Sequence, residues 1–483
     1  MRPVLCILFL LLLIKAGAQA PEPWRPAFHF TPPANWMNDP NGLVYHNGTY
    51  HLFYQYYPDS TVWGPMHWGH ATSPDLFHWT HQPIALYPDS LGWIFSGSAV
   101  IDKNNTAGFG KDAMVAIFTY HNDAIWKAGR KNTESQGIAF SLDEGLTWTK
   151  YPGNPVLNNS GEQDFRDPKV SWHAARKCWI MVLAAGDRIK MYSSVNLTSW
   201  KFESDFVPDV KEPYGVWECP DLFPMKSGNE EKWVLILSQN MNGPNGGSAT
   251  RYIVGSFDGM NFRAETTPRW IDHGTDYYAA VTYDNAPGGK RILLGWMSNW
   301  MYAEKTPTKE WRSAMALPRE LSLIRSASGY RLSQSVISSL DGQTQPLVNV
   351  NSADKVERAD LDFSRAIIAF DIAAGNAPVV VELSNDSGEK TSLRVTDYDM
   401  QIDRGLSGLV DFSKDFAGKP QLLKSEEKIT RLEMYLDASS LEVSLNHGAY
   451  WMTVQYFPRK SYHRLSVSGR TVKHLDLRRI DRK

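Results

Sequence analysis

A short turn recurs through the first half of this chain at a spacing that few folds accommodate. Ser73-Pro74-Asp75 leads to Trp79, Ser141-Leu142-Asp143 to Trp148, Ser194-Val195-Asn196 to Trp200, and Ser256-Phe257-Asp258 to Phe262. The starts lie 68, 53 and 62 residues apart, and each turn follows a strand-like run. Ser-x-Asp alone is ordinary hairpin chemistry. A turn that keeps both its preceding strand and its following aromatic marks a repeating unit. Short strands repeating near ~50 residues are what stacked four-stranded propeller blades would give, and ~300 residues at that period hold about five blades.

The runs between the turns have strand length and strand composition, as in Thr49–Tyr56, Met114–Phe118 and Trp233–Leu237, and no long segment carries a helical period. Around residues 325–345 the chain turns small, polar and poor in aromatics, as a linker would. Shorter alternating strands follow, including Leu432–Leu436 and Leu441–Leu445 around Asp437-Ala438-Ser439-Ser440, a hairpin signal. About 140 residues of this texture fit a β-sandwich. The expected architecture is all-β, a five-bladed β-propeller over residues 21–330, a linker over 331–345 and a C-terminal β-sandwich over 346–483. Ahead of it, Arg2, the apolar run Val4–Ile14 and the small residues Ala16 to Ala20 predict a signal peptide over residues 1–20. That run is about half of the ~20 residues that span a bilayer. The mature chain is therefore expected to be exported, periplasmic or extracellular, without membrane insertion.

Composition removes several classes of function. Lys and Arg number 50 against 52 Asp and Glu, so the basic surplus that nucleic acid demands is missing. Of three cysteines, Cys6 leaves with the signal segment, and Cys178 and Cys219 form neither a disulfide scaffold nor a zinc-type cluster. The 18 Trp, 21 Tyr and 20 Phe serve either β-packing or stacking on sugar rings. Five N-x-[ST] sequons, at Asn47, Asn104, Asn158, Asn196 and Asn385, matter only in a glycosylating host.

Three acidic segments carry the chemistry. They are Trp36-Met37-Asn38-Asp39-Pro40-Asn41-Gly42, Phe165-Arg166-Asp167-Pro168-Lys169 and Trp217-Glu218-Cys219-Pro220-Asp221. Singly, Asp39 reads as turn chemistry, Arg166-Asp167 as a surface ion pair and Glu218 as a solvated loop acid. Together, at equivalent strand starts of a propeller, they converge on one mouth, where the carboxylates would repel unless used. Glycoside hydrolysis needs such a pair, one group as nucleophile or base and one as protonated acid. Arg166 is expected to keep a further Asp ionised.

The same segments resemble the three signature blocks of glycoside hydrolase family 32, the invertases, inulinases and levanases. Trp63–His70, Phe95-Ser96-Gly97-Ser98, His273–Ala279, Gly295–Trp300 and Trp311–Glu320 agree with it in order. The resemblance implies a retaining β-fructofuranosidase, with Asp39 as nucleophile, Glu218 as acid/base and Asp167 as transition-state stabiliser. It places Asn38, Gln55, Trp63, Phe95, Ser96, Arg166, Asp276 and Trp296 around the fructose, and it implies no metal and no organic cofactor. Cys219 is expected to be a buried free thiol. Exo-acting release of fructose from levan or inulin, with sucrose as a further substrate, is the leading reading. An invertase specialised for sucrose, a fructosyltransferase and a carbohydrate-binding propeller without activity are the competing ones. Retention requires the Asp39 and Glu218 carboxyls about 5–5.5 Å apart. Linkage preference, and exo against endo cleavage, depend on the loops around the mouth.

Overall fold

A computed structural model describes residues 22–208, 215–326, 329–359 and 361–481. The segment read as a signal peptide lies outside them. The chain is a five-bladed β-propeller followed by a β-sandwich. Five four- or five-stranded sheets follow one another from Asn35 to Val336. Their inner strands are Asn35–His46, Trp93–Asp102, Phe165–His173, Trp217–Ser227 and Tyr278–Thr282, in blades I to V. Each packs against the next and the fifth against the first, which closes the ring. A parallel pairing of Trp311–Arg312 with Asn35–Trp36 ties the last blade's chain to the first.

The second strands are the most apolar, as burial on both faces demands. Every residue of Ala113–His121 and of Cys178–Ala185 is buried. The recurrent Ser-x-Asp turn joins the third and fourth strands in blades I to IV. In blade I, Ser73 Oγ accepts from Leu76 N at 2.7 Å and Asp75 Oδ1 from His78 N at 2.8 Å. The aromatic then locks the turn: the indoles of Trp79, Trp148 and Trp200 each donate to the carbonyl three residues earlier at 3.0 Å. The repeat thus has a physical cause in side-chain caps that replace the ladder bonds a turn forgoes.

One expectation needs correction. Residues 331–345 are mostly not a linker, because Gly329–Val336 pairs along its whole length with Arg319–Ser326 and forms the outer edge of blade V. Only Leu332 and Gln334 of that strand are buried, so an edge strand facing solvent carries the small polar texture of a connector. The short 3-10 turn Ser338–Gln343 then leads into the first sandwich strand, Thr344–Ala353.

The sandwich consists of two six-stranded sheets over one apolar core that includes Phe370, Leu393, Ile402 and Leu436. The expected hairpin is present, Arg431–Asp437 against Ser440–Leu445. The sandwich meets the propeller through buried charge as well as apolar contact. Arg319 is fully buried, donates to Asp272 Oδ2 at 3.0 Å, pairs with Glu442, and lies 3.9 Å over the Trp451 ring. His29 bridges the two sandwich carboxylates Asp437 (2.7 Å) and Glu442 (2.9 Å). Burial alone would push this imidazole down, but the two carboxylates outweigh it and raise it to about 9. A raised folded-state value contributes stability that is complete below about pH 6.5 and is lost as pH rises through about 9. The denaturant midpoint is expected to fall between pH 7 and 9, and His29→Gln to flatten that decline. An unchanged slope in His29→Gln would show that other groups carry it.

Candidate active site

All five inner strands carry the same irregularity near their starts. The pairing register skips at Asn38-Asp39, Phe95-Ser96, Asp167-Pro168, Cys219-Pro220 and Ala279-Ala280. A β-bulge bends the strand and re-aims the side chains beside it. Asp167, Cys219 and Ala279 take left-handed backbone at φ of 65°, 47° and 52°, which costs on the order of 1–3 kcal/mol each for residues other than glycine. The proline after Asp39, Asp167 and Cys219 donates no ladder bond and fits the break. Five copies of one kink thereby aim Asp39, Ser96, Asp167, Cys219 and Ala279 at a common axis.

The contacts agree with that convergence. Asp39 Oδ2 accepts from Ser96 Oγ at 2.7 Å, and its Oδ1 accepts from Asn38 Nδ2 at 3.0 Å. Asp167 Oδ2 accepts from Cys219 N at 2.9 Å. The Cys219 thiol lies 3.5 Å from Asp39 Oδ2 and 3.7 Å from Asp167 Oδ2. Asp39, Asp167 and Cys219 are all buried, and both described cysteines are free. Arg166 reaches Glu218 Oε1 with Nε at 3.2 Å and Nη2 at 3.0 Å. Its Nη1 donates to Glu134 Oε1 at 3.0 Å and Asp164 Oδ1 at 2.8 Å. The Tyr278 hydroxyl donates to the other oxygen of Glu218, Oε2.

Electrostatics in this cluster follow from burial. Burial pushes the Asp167 carboxyl up to about 8 against the pull of Arg166, with repulsion from Glu218 and Asp39 added. Burial also raises Glu218, opposed by Arg166 and by the Tyr278 hydroxyl. Arg166 does pull the Asp167 carboxyl down as expected, but burial and the neighbouring carboxylates outweigh that pull. The guanidinium spends its hydrogen bonds on Glu218, Glu134 and Asp164, and the neighbouring carboxylates repel a charge on Asp167. Burial likewise lifts the Tyr278 phenol well above its ordinary value, so it stays a donor.

Asp39, Asp167 and Glu218 line the floor of a cavity of about 580 Å³ at one end of the propeller axis. Asn38, Gln55, Trp63, Phe95, Ser96 and Arg166 line it too. Phe95 stacks on His121 at 4.3 Å, and Gln55 Nε2 donates to Ile94 O at 3.0 Å. Below the carboxylates the axis is filled. Gly97 N donates to Asn41 Oδ1 at 3.3 Å, Ser98 Oγ to Pro168 O at 2.9 Å, and Lys169 pairs with Asp221 at 3.4 Å, all buried or nearly so.

Two expected residues are elsewhere. Asp276 is fully buried where the propeller meets the sandwich and accepts from Arg404 Nη1 at 2.7 Å, so its carboxylate is not part of the cavity wall. Trp296 is also fully buried, packed against Trp36, Trp300 and Tyr278. Trp300, not Trp296, reaches the wall. Sequence reasoning missed Glu134, Tyr278 and Trp126. Tyr278 could have been found, because it precedes the kink in blade V as Arg166 and Glu218 do in blades III and IV. Glu134 opens the strand Glu134–Ser141, and nothing local distinguishes it. Trp126 stands exposed on a short helix, Asp123–Lys127, over the cavity rim. Among the described residues no group of three or more His, Cys, Asp or Glu is arranged to hold a metal ion.

The chain as a whole has known relatives. The model of the glycosyl hydrolases family 32 N-terminal domain matches residues 29–335, and that of the family's C-terminal domain matches residues 329–478. A levanase of Bacillus subtilis is 43% identical over 94% of this chain and 70% of its own length. An extracellular exo-inulinase of Aspergillus niger is 40% identical over 90% of each chain. The crystal structure of the exo-inulinase from Aspergillus awamori superposes with a TM-score of 0.85 at 34% identity, over 96% of this chain and 99% of that one.

Proposed function

This chain belongs to glycosyl hydrolase family 32 and is an exo-acting β-fructofuranosidase of fructans, and we propose that Asp39, Asp167 and Glu218 carry its chemistry. The observation that supports these roles is the convergence of the three carboxylates on the floor of one cavity. Asp39, steadied by Ser96 and Asn38, attacks the anomeric C2 of the terminal fructosyl unit. Glu218 gives its proton to the leaving oxygen, and the bond from C2 to that oxygen breaks as the bond to Asp39 forms. Water then attacks C2 as Glu218 takes its proton, the bond from C2 to Asp39 breaks to restore that carboxylate, and fructose leaves with retained configuration. Glu218 suits the proton-transfer role because its side chain is 19% exposed, against 5% for the whole Asp167 residue. Asp167 holds the fructose hydroxyls from beneath. Asn38, Gln55, Trp63, Phe95, Ser96 and Arg166 shape the pocket around the ring.

The substrates proposed are levan or inulin, with sucrose also cleaved. Residues 1–20 are proposed to be a signal peptide that exports the chain, a reading supported by relatives named as extracellular. Product analysis on sucrose, inulin and levan side by side tests the substrate reading. Fructose alone from one polymer, released well ahead of sucrose cleavage, is the expected result and names the linkage. Short oligosaccharides from a polymer would overturn exo attack, and sucrose cleaved far faster than both polymers would make the protein an invertase.

A further inference from the structure

The carboxylate proposed as acid/base is touched by a side chain whose loop is held mainly by the other domain. Tyr278 opens the inner strand of blade V, and the residues just ahead of it hang from the sandwich. Asp272 Oδ1 accepts from Thr453 N at 2.9 Å, His273 N donates to Trp451 O at 2.8 Å, and Asp276 N donates to Thr453 O at 3.1 Å. Thr275 N donates to Gln421 Oε1 at 2.9 Å, and Gln421 Nε2 returns a bond to Thr275 Oγ1 at 3.0 Å. Arg404, on the sandwich strand Asp399–Leu406, is 2% exposed and gathers the loop. Its Nη1 donates to Asp276 Oδ2 at 2.7 Å, its Nη2 to Thr275 Oγ1 at 3.1 Å and to the Tyr302 hydroxyl at 3.0 Å. Its Nε donates to Phe416 O at 2.8 Å, so the whole guanidinium is fixed from the sandwich side. Gln455 N and the Tyr302 hydroxyl complete the shell of Asp276 at 2.9 and 2.7 Å. Only Tyr277 separates Asp276 from Tyr278, so the anchored loop fixes the backbone from which the phenol projects.

We propose that the sandwich positions the proton-transfer group of the propeller: Arg404, acting through Asp276, sets where the Tyr278 hydroxyl stands on Glu218. Arg404 is thus a positioning residue some distance from the reacting atoms, and the C-terminal domain takes part in the first chemical step. The inference rests on the reading of Glu218 as acid/base. The groups facing Glu218 are Arg166, Asp39, Asp167, Cys219 and Tyr278. Of these, Tyr278 is the one that the sandwich reaches through the loop. A donor on the carboxylate favours its ionised form, so weakening that bond raises the acid's pKa and moves the alkaline limb of kcat/KM to higher pH.

The test is a pair of variants and their combination, each followed as a full pH profile on sucrose alongside its unfolding midpoint. Tyr278→Phe is expected to move the alkaline limb up by roughly 1–2 pH units, the worth of one hydrogen bond to a charged group. Arg404→Lys keeps the charge and loses the fork that spans Asp276, Thr275 and Tyr302; it is expected to move the limb the same way. The double variant is expected to move it no further than Tyr278→Phe alone, since both act on one bond. Gln421→Leu, which frees Thr275 without touching a charge, supplies the same readout should Arg404→Lys not fold. Shifts that add, or a lowered midpoint with an unmoved limb, would overturn the coupling. Should the alkaline limb persist unchanged in Glu218→Gln, the assignment of Glu218 fails and the coupling falls with it.

Discussion

Asp39→Asn is expected to lower kcat on sucrose and on fructan by on the order of 10⁴-fold or more, with little change in KM. The substitution is isosteric, and the side chain keeps its place between Ser96 and Asn38, whose donors hold the two carboxylate oxygens at 2.7 and 3.0 Å. What disappears is the nucleophile. An amide oxygen is too weak to form the ester to C2, so the two-step route closes and no covalent fructosyl intermediate should be trapped in the variant. The loss belongs in kcat because the sugar is held by other groups in both states. A residual rate within tenfold of wild type would remove Asp39 from the nucleophile role. The most direct alternative would then be attack by water from the same face of the sugar.

Glu218→Gln comes second in size, at ~10²–10⁴-fold in kcat for substrates with a sugar leaving group. The loss should depend on what leaves. Sucrose and inulin expel a poor alkoxide and need the proton in the first step. An aryl fructoside expels a stabilised phenolate and needs it less. With such a substrate the first step of the variant should stay fast and the second should stall, because the amide that replaces the carboxylate accepts no proton from water. A burst of phenol followed by slow turnover is the expected trace, and added azide, which needs no base, should restore turnover. Equal losses on aryl fructoside and sucrose would argue that the side chain only binds.

Much of this was legible from the amino acids alone. The Ser-x-Asp turn with its following Trp announced the blade period because its hydrogen bonds are local: Trp79 caps Leu76, only three residues away. Asp39, Asp167 and Glu218 could be grouped because each stands at the start of a strand beside a proline or a proline-led break. The carboxylate Asp276 and the indole of Trp296 misled for a shared reason. Both lie in chemistry-bearing segments, yet which face of a blade turns to the axis depends on kinks that no local composition encodes. The buried ion network of His29, Arg319, Asp437 and Glu442 was invisible because His29 and Arg319 each lie more than a hundred residues from the sandwich carboxylates they meet. An edge strand such as Gly329–Val336 escapes for the opposite reason, having too few apolar residues to alternate visibly.

The plugged axis beneath the carboxylates has a kinetic consequence for a long substrate. Among the described residues, Asn41, Ser98, Lys169 and Asp221 are buried and bonded on the far side of the carboxylates from the cavity. Once the terminal unit is cut, the freed monosaccharide sits deeper than the chain that delivered it, and both must use one doorway. The shortened polymer has to back out before the product can escape, and it cannot thread onward for the next cut. Each encounter then ends after a single bond, so a population of fructan molecules should shrink in step, every chain losing its tip at a similar pace, rather than a few being consumed whole while the rest wait untouched.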